Sequence, residues 1–480
     1  MSTAVTGRVT LVTSEPAGGY PPQPVPSYAL GDVDQLQAMR WPDVCPGDDG
    51  YRQTLIRTLA LDAALYGMPG VLQYAHLYKQ AVDGSGPGYT GFNRFAHDRE
   101  LAGPGYRAFK TPNADTLYSN AWLDLTAGPI LITVPGFGTR YYTLNFLDMY
   151  SNATNISTGT AGGDGGRYLV ATTSWTGPIP EGAVLFRVAT SYMWLLMRIF
   201  VDGPDDLAAA RRLQDVVRLE PLTPAEPDPS WFPWASPEAV RRDWRTYYRV
   251  LDFLLGSVAH PAQEDALVYR YRLIGLGADA QWDPRGLDRT ACQAFEDGYR
   301  LAMDMAVSVR SQLGVPLGPG GWSRGYPAAY GFNYLRRAAT NLVGLGATVV
   351  QENQAFMCWR DADARPLDGS KASYEFTLAG LPPVEAFWSL SAYDARTLEF
   401  HPNELDRYVI SDRTRGIEWN EDGSLTVRLQ SGQPADGNWL PVPPGPFYLA
   451  MRAYRPKPAL LSGAWRPPPV RPAAEAGAPA

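Results

Sequence analysis

The most informative pattern lies between Lys110 and Tyr150. Pro112 biases Thr111 toward extended backbone. Beyond it the run Lys110-Thr-Pro-Asn-Ala-Asp-Thr-Leu-Tyr-Ser-Asn-Ala-Trp-Leu-Asp-Leu125 alternates, with Tyr118, Asn120 and Trp122 on one face of a strand and Asp115, Leu117 and Ser119 on the other. Ile130-Leu-Ile-Thr-Val134 is apolar throughout and closes on Pro135-Gly136, which suits a strand covered on both sides. Alternation returns from Arg140: Arg140, Tyr142, Leu144, Phe146 and Asp148 face one way, Tyr141, Thr143, Asn145 and Leu147 the other. Arg140 and Asp148 are then roughly 26 Å apart along one strand and cannot pair with each other; a carboxylate from the Asp115 region is one candidate partner for Arg140. Further strands are predicted at Tyr168–Thr172 and Ala183–Ala189. The apolar run Tyr192–Phe200 carries one charge, Arg198, which predicts a carboxylate beside it because an unpartnered buried guanidinium is costly.

Helical spacing marks other segments. Leu55, Leu59, Leu61, Ala64 and Leu65 predict a helix from Tyr51 to Tyr66 that stops at Gly67-Met68-Pro69, with a second helix over Val71–Val82. A helix opens at Pro204 and runs to about Leu219, and a proline-rich linker follows from Pro221 to Pro233. Ser236-Pro237-Glu238 opens a helical block that reaches Leu313, and Arg336–Gln354 is also compatible with helix. Short strands are predicted at Ser373–Leu378, Val384–Ala392, Arg407–Ser411, Ser424–Gln430 and Phe447–Tyr454; their proline- and glycine-rich turns describe a β-sandwich or jelly roll. The expected layout is a flexible arm (1–30), an N-terminal β-sandwich with flanking helices (31–225), a helical segment (226–333), a C-terminal jelly-roll domain (334–468) and a flexible tail (469–480). The fold class is mainly β with α segments, that is, α+β.

Composition narrows the function classes. At 480 residues the chain exceeds one ordinary core. A net charge of -7 with no basic stripe argues against nucleic acid or an acidic membrane surface as partner. Cys45, Cys292 and Cys358 are scattered, which argues against a disulfide framework or thiolate metal site. Without an export signal or an apolar run of membrane-spanning length, a soluble cytoplasmic protein is expected.

Several blocks together resemble two known families. Lys110–Leu125, Arg140-Tyr-Tyr142 and Asp148 resemble the domain-of-unknown-function family 1254. Leu381-Pro-Pro-Val-Glu-Ala-Phe-Trp-Ser-Leu390, Tyr393-Asp394, Asp422-Gly-Ser-Leu425, Asn438-Trp-Leu-Pro441 and Arg452-Ala-Tyr-Arg-Pro456 resemble its C-terminal companion, family 1214. The resemblance implies an N-terminal β-sandwich, a helical segment and a C-terminal jelly roll, and brings no established reaction. Where family members often carry acidic residues before the C-terminal domain, this chain has Gln351-Glu-Asn-Gln354.

Standard catalytic signatures fail on context. Gly321-Trp-Ser-Arg-Gly325 has neither the strand before nor the helix after that a nucleophile elbow needs, and Gly344-Leu-Gly346 lacks a third glycine. His76, His97, His260 and His401 show no ligand spacing. The candidate catalytic residues are therefore Asp115, Tyr118, Asn113, Arg140 and Asp148. Thr116, Trp122, Tyr142, Arg198, Trp388, Tyr393 and Asp394 are the candidates for substrate binding. An aspartate in a ring-lined, poorly solvated pocket moves protons, while a neighbouring tyrosine or asparagine stabilises an oxyanion. The competing structural explanation is that Asn and Asp after a proline cap turns. The expected activity is cofactor-independent, metal-free acid–base chemistry (cyclisation, elimination or hydrolysis) on a small organic metabolite, in a biosynthetic setting; a non-catalytic carbohydrate or small-molecule binding protein is the alternative. Self-association into a homo-oligomer through exposed sheets is also allowed for.

Overall fold

The computed structural model describes residues 45–106, 110–223, 225, 228–278, 282–325 and 328–473. The expected flexible arm lies outside them, as does the tail beyond 473. The segment from Gly47 onward forms one compact unit.

It begins with a helix, α1 (Asp49–Leu77), whose N-cap Asp48 accepts from the Gly50 and Tyr51 amides. The predicted break at Pro69 does not occur: the helix runs through it and ends in a π-helical turn, Tyr78–Val82. Its glycines serve close approach instead of termination. A Cβ on Gly67 would lie 2.1 Å from Leu251 Cδ1, and one on Gly70 would lie 2.8 Å from the Met149 carbonyl oxygen. By length and composition Asp49–Val82 could cross a membrane, contrary to the expectation from sequence, yet 72% of its most apolar window is buried inside the protein. Its apolar faces are already covered.

The first sandwich follows. β1 (Ala96–His97), β2 (Thr116–Asp124), β3 (Ile130–Val134), β4 (Tyr142–Leu147), β5 (Ala153–Ser157), β6 (Gly166–Thr172), β7 (Ala183–Val188), β8 (Tyr192–Phe200) and β9 (Arg218–Pro221) form two sheets, ordered β1-β2-β8-β4-β5 and β7-β6-β3-β9. Leu117, Leu144 and Leu195 from the first meet Ile132, Val170 and Val188 from the second in a shared core. Before β9, α2 (Leu207–Val216) ends sooner than its spacing predicts.

A helical layer comes next, with α3 (Trp244–Ser257), α4 (Arg289–Ser308) and α5 (Tyr334–Val343) packed on α1. The predicted helix Arg336–Gln354 stops at Val343, and more than half of it is instead a strap leading into a strand.

In the second sandwich, β10 (Gly314–Pro316), β11 (Trp322–Gly325), β12 (Asn353–Cys358), β13 (Tyr374–Leu378), β14 (Val384–Asp394), β15 (Val409–Ile410), β16 (Leu425–Gln430), β17 (Asn438–Pro441), β18 (Phe447–Pro456) and β19 (Arg471–Pro472) form sheets ordered β10-β11-β12-β18-β14-β15 and β17-β16-β13-β19. Ser323 of the Gly321–Gly325 motif lies within β11, flat in the sheet, so no nucleophile elbow forms. The whole is mainly β, with the helical layer falling between the two sandwiches in chain order. Two pairs are parallel, β6 with β7 in the first sandwich and β16 with β17 in the second, the latter a departure from a purely antiparallel roll.

Candidate functional site

The functional geometry follows from what covers the outer face of the first sheet. Because side chains alternate along each strand, register places cross-strand rows on that face. One row is Ser157, Thr143, Arg198, Tyr118; the next is Asn155, Asn145, Leu196, Asn120; the third ends in Trp194 and Trp122. Two rows are polar and one is apolar. The helical layer covers the tryptophan end, whereas β12, β18 and β14 of the second sandwich meet the polar end. Their own rows there are Asn353, Tyr454, Phe387, then Ala355, Arg452, Ser389.

Asp115 bridges the two domains. Its Oδ2 accepts from Ser389 Oγ at 2.7 Å and from Tyr454 Oη at 3.1 Å, while Oδ1 makes no hydrogen bond among the described residues. Burial pushes the carboxyl pKa up; the Ser389 hydroxyl, the Arg452 charge and the Tyr454 hydroxyl pull it back down. Arg452 donates from Nη1 to Tyr393 Oη at 2.9 Å and from Nη2 to the Thr111 carbonyl at 2.7 Å. Thr111 holds φ at +53°, a left-handed conformation that aims this carbonyl. Tyr393 Oη in turn donates to the Pro112 carbonyl. Its ring stacks on Phe400 at 4.6 Å and Tyr448 at 5.2 Å.

Tyr118 accepts two hydrogen bonds at its phenolic oxygen, from the Asn113 amide at 3.0 Å and from Asn113 Nδ2 at 2.6 Å. The Arg198 guanidinium lies 5.6 Å from its ring centroid. Burial raises the Tyr118 pKa, and Arg198, the Asn113 amide and Arg452 counter it. Among the described residues no carboxylate forms the ion pair expected at Arg198. Its Nη2 donates to the Gly346 carbonyl at 2.9 Å, so the strap after α5 neutralises it with a dipole where a charge was predicted.

Unfilled hydrogen-bonding capacity collects on the two facing surfaces. Asn145 Oδ1 and Asn155 Oδ1 on one side, and Asn353 Oδ1 on the other, are buried and lack a hydrogen-bond partner among the described residues, while Arg198 and Ser391 make only long polar contacts, to the Tyr118 and Tyr393 hydroxyls. The orientation of Asn145 is fixed, because its Nδ2 donates to the Ala347 carbonyl at 3.3 Å. Buried polar groups are ordinarily paired, and each exception calls for water or a ligand. Beside Asn120, about 7 Å along β2 from Tyr118, a cavity of about 270 Å³ opens between Trp122, Trp194, Gln80, Lys79, His76 and Leu345.

Other sequence candidates do other work. Asn113 Oδ1 accepts from the Asp115 and Thr116 amides and from Thr116 Oγ1, so Asn113 and Thr116 close the turn that launches β2. Asp148 caps the following turn through the Tyr150 and Asn152 amides, and Asp394 does the same for Arg396 and Thr397. Arg140 pairs with Asp206, not with the Asp115 region. Tyr142 stacks on Phe137 inside the first sandwich, and Trp388 is fully enclosed in the second; both point away from the facing surfaces. Trp122 stacks on Trp194 at 5.6 Å and forms the cavity wall. Asp115, Tyr118, Arg198 and Tyr393 are brought together.

Sequence reasoning missed Ser389, Arg452, Tyr454 and Glu352. Glu352 is buried and accepts from Ser157 Oγ at 2.5 Å and Tyr141 Oη at 3.3 Å, giving a second carboxyl bridge between the domains. Arg452 had a readable signal, since it is the one charge on the Tyr448, Ala450, Arg452, Tyr454 face of a strand whose other face is apolar.

Fold and site thus define a two-sandwich protein with a polar face buried between its domains. The chain carries both domains of the paired families it resembles: residues 92–221 match "Protein of unknown function (DUF1254)" and residues 352–458 match "Protein of unknown function (DUF1214)". The crystal structure of the VPA0106 protein from Vibrio parahaemolyticus is similar at 24% identity and a TM-score of 0.66, over 87% of this chain and 100% of that one. An uncharacterized protein from Burkholderia cenocepacia matches at 13% identity and a TM-score of 0.37, over 89% of each chain. No curated protein matches.

Proposed function

We propose that the chain is an enzyme that performs acid–base chemistry on a small organic molecule held between the two sandwiches. Asp115 and Tyr118 carry the protons, and Arg198 and Arg452 stabilise negative charge as it develops. The observation that carries this reading is the set of three amide oxygens, of Asn145, Asn155 and Asn353, that are buried on the facing surfaces without a partner among the described residues, beside a carboxyl group whose Oδ1 makes no hydrogen bond among them. A purely structural interface would fill those valences or replace them with apolar contacts. Tyr118 is suited to acting as a neutral phenol that donates a hydrogen bond or a proton, because burial outweighs the Asn113 donors and the Arg198 charge and holds its pKa above the ordinary value. Sharing one network, Asp115 and Arg452 give a carboxyl that changes protonation at low cost in reorganisation.

A second reading is binding without turnover, favoured by the Trp122 and Trp194 rings at the cavity wall, which offer a face for ring stacking. Mass spectrometry of a small-metabolite extract incubated with the purified protein separates the two. Turnover predicts disappearance of one compound and appearance of another, both lost in Asp115→Asn and Tyr118→Phe. Wild-type conversion by both folded variants would end the catalytic proposal, and depletion without product would favour binding.

A further inference from the structure

A larger groove adjoins the 270 Å³ cavity, sharing His76 and Leu345 with it, and encloses about 550 Å³. Four of its lining side chains are Lys110, Arg241, Arg310 and His76, and among the described residues no Asp or Glu lines it. Lys79 and Asp98 line the neighbouring cavity. Lys110 is ion-paired with Glu399, while among the described residues Arg241 reaches the Leu342 carbonyl alone, at 3.5 Å. The rest of the wall is largely apolar, with Val307, Leu345 and Leu398 prominent. Two arginines with no acid on the groove wall beside them, against an apolar surface, are a complement to an oxyanion that carries a hydrocarbon body.

We propose that this groove binds an amphipathic organic anion, its carboxylate or phosphate head held by Arg241 and Arg310 and its apolar body laid along Val307, Leu345 and Leu398. His76 is consistent with this: burial first, then the charges of Arg241 and Lys79, push its pKa down to about 4, which leaves a neutral imidazole where a further cation would be repelled. The site stands whether or not Asp115 and Tyr118 are catalytic. If they are, the groove defines the substrate class as organic anions.

A competing explanation is that these cations only compensate helix dipoles, since α1, α4 and α5 all end here. Titration calorimetry on the full chain with octanoate, octyl phosphate and 1-octanol decides between them. The two anions should bind saturably and octanol at least tenfold more weakly, and the stronger of the two anions identifies the head group. The Arg241→Gln/Arg310→Gln double variant should lose at least tenfold in anion affinity. Arg242→Gln, at an exposed arginine paired with Glu238, should lose none. Octanol binding equal to octanoate, no saturable anion binding at millimolar concentration, or a double variant that melts lower yet binds unchanged would each overturn the proposal. Asp115→Asn, run in parallel, should bind as wild type, so a failed groove and a failed catalytic reading give different results.

Discussion

Replacing Arg452 with Met removes a charge and nearly preserves volume at the point where the domains are tied. The wild-type guanidinium donates to Tyr393 and to the Thr111 carbonyl and offsets Asp115. Breaking a buried ionic network from one side costs roughly 3–5 kcal/mol. With unfolding entropy near ~2.1 cal/mol/K per residue over roughly 430 cooperatively melting residues, each kcal/mol shifts Tm by about 1 °C, so a fall of about 3–5 °C is expected by calorimetry. The loss should depend on pH in a definite direction. Burial already holds the folded Asp115 pKa above its unfolded value, and losing Arg452 raises it further. A raised carboxyl pKa means the folded state binds the proton more tightly, so stability falls as pH rises from about 4 through the folded value. The gap between wild type and Arg452→Met should therefore be wider at pH 8 than at pH 5. Adding Asp115→Asn to the variant should cost less than it does alone, with a coupling of about 1 kcal/mol or more. Additivity to within about 0.5 kcal/mol, together with a gap that does not change with pH, would refute the claim that these two side chains share a network.

Three further predictions concern other parts of the molecule. Tyr118→Phe strands the Asn113 amide and Nδ2 donors and should cost about 1–3 kcal/mol in a denaturant or thermal melt, along with any turnover found. Gly298→Ala puts a Cβ 2.8 Å from both Ala60 Cβ and the Leu61 amide nitrogen, where α4 crosses α1; overpacking there should cost about 1–3 kcal/mol in Tm-derived stability. Arg140→Ala should leave turnover intact and cost on the order of 1–2 kcal/mol at pH 7. Its hydrogen bonds hold the Asp206 pKa below the usual carboxylate range, so this stability is present above about pH 4 and is lost as pH falls through the folded value. An acid titration of melting temperature should show the variant and wild type converging there.

Alternation made the strands legible. The faces of β2 are those read from Tyr118, Asn120 and Trp122 against Leu117 and Ser119, and the C-terminal strands fall near their predicted positions. The helix through Pro69 was not legible, because packing against Leu251 and Met149 overrides a local breaker. Nor was the strap around Gly344 and Gly346, whose apolar spacing continues the helix on paper while Gly346 takes φ +82° over Trp194. Half of the candidate site was visible, and the other half was not for a physical reason. Asp115 meets Ser389 across 274 positions and Tyr454 across 339, and local spacing does not encode contacts of that range. Asp148 and Asp394 illustrate the opposite difficulty, since turn capping and proton transfer call on the same residue types, and Asn113 serves both turn and site, closing the turn while donating to Tyr118.

The row of Ser157, Thr143, Arg198 and Tyr118 is hidden only because a later part of the chain lies over it. Severed between its halves, the protein would present an arginine, a phenol and several amides on what is otherwise a sealed β surface, and the other fragment would bare Arg452 and a ladder of tyrosines. Neither fragment is built to face water alone, so the two halves should stay in solution only when they are present together.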